Sequence, residues 1–79
     1  MDTQTILAKL QNGYRLYHRH QEKELAIDYL GKGRFVLSEA EFMGESHSRE
    51  LSAEELGDFL ARRFSSINAI ERLLLPVKA

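Results

Sequence analysis

The sequence contains no cysteine, and no apolar run approaches the roughly 18–20 residues that a membrane-spanning helix needs. Without cysteine the chain has no disulfide, no thiol nucleophile and no cysteine-ligated zinc or iron–sulfur site, which fits a reducing compartment. The N-terminus also lacks a basic segment followed by an apolar core, so neither a signal peptide nor a membrane association is expected. These absences predict a cytoplasmic protein.

Charge of one sign is also nearly absent, because 11 basic and 12 acidic residues leave a net charge of −1. Residues 1–34 carry a small positive excess and residues 35–79 a small negative one. This asymmetry is too mild for a nucleic-acid footprint by charge alone, although it suits head-to-tail contacts. With 79 residues, of which 43% are hydrophobic, the chain is expected to form a single domain over residues 1–79.

Residues 51–76 carry the clearest local signals, and these predict a helix. Ser52 and Glu55 match a capping box, in which each side chain accepts a hydrogen bond from the other residue's backbone N–H. Leu51 and Leu56 match the hydrophobic staple that fixes the direction of the chain at a helix start. The helix is therefore expected to begin directly after Ser52.

An apolar seam follows the length of this predicted helix with a mean period of about 3.5 residues. It comprises Leu56, Leu60, Arg63, Ile67, Ile70 and Leu74. Pro76 is expected to end the helix, which then runs over residues 53–75 and either stays continuous or bends at Ser65-Ser66, since serine is a weak helix former. A continuous helix would be about 35 Å long, so a small sheet would leave part of the seam uncovered.

The first part of the chain predicts a short helix over residues 3–12, followed by three strands whose side chains alternate between apolar and polar. The strands are expected over residues 14–20, 25–30 and 34–38, the last extending at most to Met43. Residues 44–50 are expected to form a polar loop. The predicted fold class is α+β: a three-stranded antiparallel β-meander packed against a long, continuous or bent C-terminal α-helix, with a short N-terminal helix.

The registers of the two predicted hairpins differ in certainty. The turn Gly31-Lys32-Gly33 places Tyr29 opposite Phe35 in the second hairpin. In the first hairpin a loop of even length places Leu16 opposite Tyr29, whereas an odd length places Tyr17 there and turns His18 and His20 outward. The even length aligns more apolar residues and is preferred, but both remain open.

The residues with reactive or metal-ligating side chains do not form a recognisable site. His18 and His20 point to one side of a strand, but a zinc site needs further ligands and only His47 remains. The glycine turn lacks the spacing of a phosphate-binding loop, and Ser46-His47-Ser48 has no third group that would orient a nucleophile and base. No catalytic residue, metal or cofactor is therefore expected, and the protein is not expected to be an enzyme.

The expected function is a small interaction or regulatory domain that occludes or bridges another protein, for example a bacterial or phage-type inhibitor or adaptor. The alternative is nucleic-acid binding through strand arginines interleaved with tyrosines. A homodimer is also expected, in which Arg63, within the uncovered seam, meets Glu71 of a second copy. The residues expected to mediate these interactions are Tyr17, Arg19, Arg63, Ile67, Ile70 and Leu74.

Overall fold

The computed structural model describes residues 3–77, without the side chains of Ile67 and Asn68. Within this part of the chain three helices and five strands follow one another. They are α1 (Thr3–Gln11), β1 (Tyr14–His20), β2 (Lys23–Gly31), β3 (Arg34–Glu41), β4 (Ser46–Ser52), α2 (Ala53–Arg63), α3 (Ile67–Glu71) and β5 (Leu74–Pro76).

The five strands form one antiparallel sheet in the order β4-β3-β2-β1-β5. The first four are joined by successive hairpins, while β5 returns after the helices and pairs with the free side of β1. The predicted three-stranded meander with a long C-terminal helix is therefore wrong. The α1 helix and the first three strands are where the sequence places them, and the corrections concern the register of the first hairpin, β4 and everything after Arg63.

The predicted long helix is interrupted by residues 64–66. Phe64 has extended backbone angles (φ −119°, ψ 143°), so the α-helical path ends there. The Ser66 hydroxyl accepts a hydrogen bond from the Ala69 N–H (3.2 Å), and its carbonyl accepts one from the Ile70 N–H (3.4 Å). Serine at this position therefore starts a new short helix, because its side chain satisfies a backbone donor that helix starts leave free.

The last part of the predicted helix is the strand β5. Leu74 lies opposite Leu16, and the Tyr17 N–H donates to the Leu73 carbonyl (3.0 Å), so these residues bond to β1 instead of to a helical turn. Pro76 is compatible with this position because an edge strand can hold a residue that donates no ladder hydrogen bond. The contacts that select the strand come from β1, which is remote in the sequence.

Residues 46–50 of the predicted polar loop instead form most of the strand β4. This strand pairs with β3 in an unbroken register that includes Phe35 opposite Leu51 and Ser38 opposite Ser48. Of its seven residues only Leu51 is buried. The apolar alternation that marks a half-buried strand is therefore missing, although the backbone hydrogen bonds of a strand are present.

The second hairpin has the predicted register, with Tyr29 opposite Phe35. In the first hairpin the predicted side of the sheet is right, but the predicted partner of Leu16 is wrong: Leu16 lies opposite Ile27. The loop between these strands has the predicted even length, but it is the two-residue turn Gln21-Glu22. The predicted pairing of Leu16 with Tyr29 would need a loop over residues 21–24. Gln21 accommodates this tight turn with a positive φ of 55°.

All three helices pack on one side of the sheet, here called the helix side. Each contributes to a single apolar core with the strand side chains that alternate toward it. The buried residues are Ile6, Leu10, Leu16, Leu25, Ile27, Phe35, Leu37, Leu51, Leu56, Leu60, Ile70 and Leu74. Leu56 and Leu60 of α2, Ile70 of α3 and Leu74 of β5 thus share one core, so these apolar members of the predicted seam are covered within the chain.

The predicted capping box is confirmed and makes the stability sensitive to acid. The Glu55 N–H donates to the Ser52 Oγ (3.1 Å), and the Ser52 N–H donates to a Glu55 carboxylate oxygen (2.9 Å). The bond from the Ser52 backbone, followed by the bond with its side chain, lowers the pKa of Glu55. This contribution is present above the pKa of an unfolded glutamate, about 4.3, and is lost as the pH falls through the lower folded-state value.

We therefore expect the urea midpoint of the wild type to fall more steeply than that of Glu55→Gln on acidification from pH 6 to pH 3. The measurement is urea unfolding followed by circular dichroism at each pH. Glu54→Gln is the matched control, since it removes a neighbouring carboxylate outside the capping box. Identical pH profiles for wild type and Glu55→Gln would contradict a contribution from this carboxylate.

Candidate interaction surface

The side of the sheet opposite the helices, here called the open face, is left uncovered by the part of the chain that the structure describes. The strand register defines its members as the residues that alternate with the core positions. They are Arg15, Tyr17 and Arg19 on β1; Glu24, Ala26, Asp28 and Leu30 on β2; Arg34, Val36, Ser38 and Ala40 on β3; Ser46, Ser48 and Glu50 on β4; and Leu75 on β5. Antiparallel sheets commonly have one face packed on the core and the other exposed to solvent, so this face is accessible to a partner.

The centre of the open face is a shallow depression with small side chains at its base. Tyr17, Ala26, Ser38 and Ser48 lie in one row across the four long strands. The depression has a volume of about 280 Å³ and reaches Glu24, Glu39 and His47 at its margins. Because alanine and serine do not fill the space above the backbone, a partner side chain or main chain can come close to the sheet here.

The charged residues of the open face are arranged as cross-strand ion pairs. Arg15 donates two hydrogen bonds to Asp28, from Nε (2.7 Å) and Nη2 (3.0 Å), and these bonds raise the pKa of the Arg15 guanidinium. Arg34 Nε donates to Glu50 at 2.7 Å, and Arg19 lies 3.9 Å from Glu24. Exposed pairs add little stability, but each places a carboxylate next to an arginine. The face is therefore close to neutral.

Large exposed apolar side chains occur at both ends of these strands. Leu30 and Leu75 are on the open face with 55% and 49% of their surface exposed, at the end of β2 and on β5. Phe42 and Met43 occupy the turn between β3 and β4, where Met43 is 93% exposed and has a positive φ of 59°. Exposed apolar groups beside a low-charge centre are typical of protein-binding surfaces.

The six residues expected to mediate interactions lie in three different places. Tyr17 and Arg19 are on the open face, as the even-length first loop implies. Arg63 ends α2 on the helix side, 3.9 Å from Glu39, while Ile70 and Leu74 are in the core at 2% and 9% exposure. The side chain of Ile67 lies outside the described residues. The other five residues therefore do not form one surface.

The ion pair predicted between Arg63 and Glu71 of a second copy has alternatives within the chain. Arg63 lies near Glu39, and the carboxylate of Glu71 is 3.8 Å from the ammonium group of Lys9. The prediction of a homodimer also relies on an apolar seam that is partly uncovered. Among the described side chains, however, Ile70 and Leu74 pack into the chain's own core. The homodimer itself stays a prediction.

The two histidines of β1 lie on the helix side, near the end of α2. Their ring centroids are 6.1 Å apart with an interplanar angle of 7°, which is a stacked arrangement. The rings of His18 and Phe64 are nearly perpendicular (78°), with centroids 5.7 Å apart. Among the described residues, no group of three or more histidine, aspartate or glutamate side chains is placed to hold a metal ion. His18 thus contacts the rings of both His20 and Phe64.

Sequence reasoning missed the contribution of β4 to the open face. Ser48 completes the central row and Glu50 neutralises Arg34, yet both fall in the predicted loop. The only available signal was weak: Ser46, Ser48 and Glu50 alternate with His47, Arg49 and Leu51, and a single apolar residue in this set does not identify a strand.

Within residues 3–77 no helix is both long enough and apolar enough to cross a membrane. No known protein family, curated protein or solved structure matches the chain. The uncovered sheet face is therefore the feature from which a function can be inferred.

Proposed function

We propose that the protein is a small, non-enzymatic interaction domain of the cytoplasm that binds another protein through the open face and acts by occluding or bridging it. The observation that carries this proposal is the combination of an uncovered sheet face, a low-charge central depression and paired charges around it. A bacterial or phage-type inhibitor or adaptor is a specific form of such a domain.

The amino acids of the open face suit a protein partner. Tyr17 offers a rigid ring with a polar end, a side chain that is enriched at protein interfaces. The small residues Ala26 and Ser38 beside it allow close approach, and the surrounding ion pairs form a polar rim. This arrangement of a low-charge centre within a polar border resembles the general anatomy of protein–protein interfaces.

The alternative, nucleic-acid binding, finds less support on the same face. Phosphate binding requires cationic side chains that are free to replace counterions. Here Arg15, Arg19 and Arg34 each have a carboxylate within 4 Å. Tyr14, the second tyrosine on which the RNA-binding alternative depended, alternates to the helix side, so Tyr17 alone provides a stacking ring on β1.

The proposal is tested by capture from a lysate of the source organism, with three versions of the protein as bait. Ala26→Arg places a long cation in the centre of the open face, and Ala61→Arg makes the same change on the exposed side of α2. Proteins retained by the wild type and by Ala61→Arg but lost from Ala26→Arg are the expected result. A set of retained proteins that is unchanged by Ala26→Arg would overturn binding through this face.

Two further measurements separate the alternatives. Fluorescence anisotropy with single-stranded RNA and DNA oligonucleotides at low salt is expected to show no binding, and binding that weakens steeply with added salt would favour the nucleic-acid alternative. Sedimentation equilibrium at micromolar concentration tests the homodimer. A mass near 9.1 kDa would exclude self-association under these conditions.

A further inference from the structure

The strand β4 is the long outer edge of the sheet. The opposite edge, β5, has only three residues, whereas β4 has seven and pairs with β3 alone among the described strands. Its register with β3 contains no bulge, and the strand contains no proline. Bulges and prolines are two of the devices by which proteins prevent further pairing at a sheet edge, and β4 has neither. Its outer backbone groups are therefore open to another strand.

Arg49 distinguishes this edge from the rest of the sheet. Of the four strand arginines, Arg15, Arg19 and Arg34 each have a carboxylate within 4 Å, but Arg49 has none among the described residues. It lies on the helix side of β4, opposite the apolar Leu37 of β3. A cationic group therefore stands at the open edge without a carboxylate in ion-pair contact, although its charge helps to lower the pKa of Glu55.

A second copy of the chain is a poor occupant of this edge. Antiparallel pairing of two β4 strands by a two-fold axis keeps the same side of both sheets facing the same way, so the residue on the axis opposes itself. A register centred on Arg49 or Glu50 therefore opposes two like charges. One centred on His47 would place Glu45 opposite Arg49, but it pairs only residues 46–48 of each β4 strand. Like charges in directly opposite positions destabilise a pair of strands.

We propose that the outer edge of β4 accepts an extended segment of another protein as a sixth strand, with an acidic side chain opposite Arg49. Main-chain hydrogen bonds would provide much of the affinity in this mode, and spaces for alternate side chains would provide specificity. Such spaces lie on both sides of β4. The central depression of the open face reaches Ser46 and Ser48. A second depression, of about 420 Å³, lies at the end of the strands. Its lining combines His47, Arg49, Arg63 and Lys23 with the carboxylates of Glu24, Glu39, Glu41 and Glu45.

The test uses two blocked seven-residue peptides titrated into isotope-labelled full-length protein and followed by NMR. The acidic probe is Thr-Val-Glu-Val-Glu-Val-Thr, and the basic probe has lysine in place of both glutamates. The acidic peptide is expected to shift the amide signals of β4 and to slow their hydrogen exchange. The basic peptide is expected to bind about twofold to thirtyfold more weakly, because it replaces an attractive cross-strand pair with Arg49 by a repulsive one.

Three variants show whether Arg49 is responsible. Arg49→Lys should keep the preference for the acidic peptide, and Arg49→Glu should reverse it. Arg62→Glu changes the net charge equally on α2, outside the sheet, and should leave the preference as in the wild type. An acidic peptide with proline in place of its central valine should not bind, because proline interrupts the hydrogen bonds of a strand.

The proposal would be overturned by any of three results: no shifts at millimolar peptide, shifts confined to strands other than β4, or an equal loss of preference in Arg49→Glu and Arg62→Glu. It does not rest on the proposed function, since it concerns the backbone edge of β4 and the helix-side residue Arg49, although β4 also contributes Ser46, Ser48 and Glu50 to the open face. Absence of peptide binding would therefore not contradict the capture experiment. Loss of capture in Ala26→Arg would likewise not show that a segment pairs with the edge of β4.

Discussion

Replacement of Ile70 by aspartate is expected to unfold the protein. Ile70 is 2% exposed and belongs to the apolar core, which α3 reaches through this residue. Removing such a side chain alone costs about 2–5 kcal/mol, and an unpaired buried carboxylate adds several more. A chain of this length is typically stable by about 4–12 kcal/mol, so the combined cost is similar to the whole stability. Far-ultraviolet circular dichroism and urea titration measure the effect.

Leu75→Asp is the matched control, because Leu75 is close in sequence but 49% exposed on β5. It should change the free energy of unfolding by less than about 1 kcal/mol. The expectation also separates two accounts of α3. If Ile70 lay on a dimer interface, Ile70→Asp would give a folded monomer of near wild-type stability. That outcome would contradict its place in the core.

Phe35→Ala should lower the free energy of unfolding by about 3–5 kcal/mol. Phe35 is fully buried on β3, a central strand, opposite Tyr29 on one side and Leu51 on the other. Its ring centroid lies 5.2 Å from that of Tyr29, so truncation also removes an aromatic contact. The measurement is the urea midpoint at constant m-value, which shows that the unfolding transition keeps its cooperativity.

Two other phenylalanines, which are more exposed than Phe35, allow the cost of the same substitution to be compared with burial. Phe59 is only partly buried at the margin of the core, so Phe59→Ala should cost less than Phe35→Ala. Phe42 is 66% exposed, and Phe42→Ala should stay within about 0.5 kcal/mol of the wild type. A cost below about 1 kcal/mol for Phe35→Ala would show that β3 does not supply the core as described.

The features that the sequence predicts correctly depend on residues close together in the chain. The capping box needs only Ser52 and Glu55, and the second hairpin needs the turn Gly31-Lys32-Gly33 between two alternating segments. Each is present because neighbouring residues supply both the donor and the acceptor, or the positive φ that the turn requires. Such signals can be evaluated without knowledge of the rest of the fold.

The break after Arg63 could not be predicted from the apolar spacing. Leu56, Leu60, Ile70 and Leu74 are all core residues, and their spacing fits one continuous helix equally well. The spacing records which side chains are buried, but not whether the backbone between them is helical or extended. Residues 74–76 become a strand because β1 offers hydrogen-bond partners, and that opportunity exists only in the folded sheet.

The electrostatic character of the open face depended on the register of the first hairpin. In the predicted register Arg15 would lie opposite Leu30, and the arginines of β1 would form a basic surface. In the structure β2 is displaced by two residues relative to that prediction, which brings Asp28 opposite Arg15 and Glu24 opposite Arg19. The same side chains face outward in both cases, yet only the observed pairing neutralises them.

The position of β5 also has a consequence for folding. The strands β1 to β4 are joined by short hairpins, so their pairing needs only local loop closure, whereas β5 must return across almost the whole chain to meet β1. Contacts between distant parts of a chain form more slowly, because more conformational freedom is lost in closing the loop. Until β5 arrives, β1 is an unprotected edge beside an incomplete core, and during synthesis this state persists until Leu74 has left the ribosome.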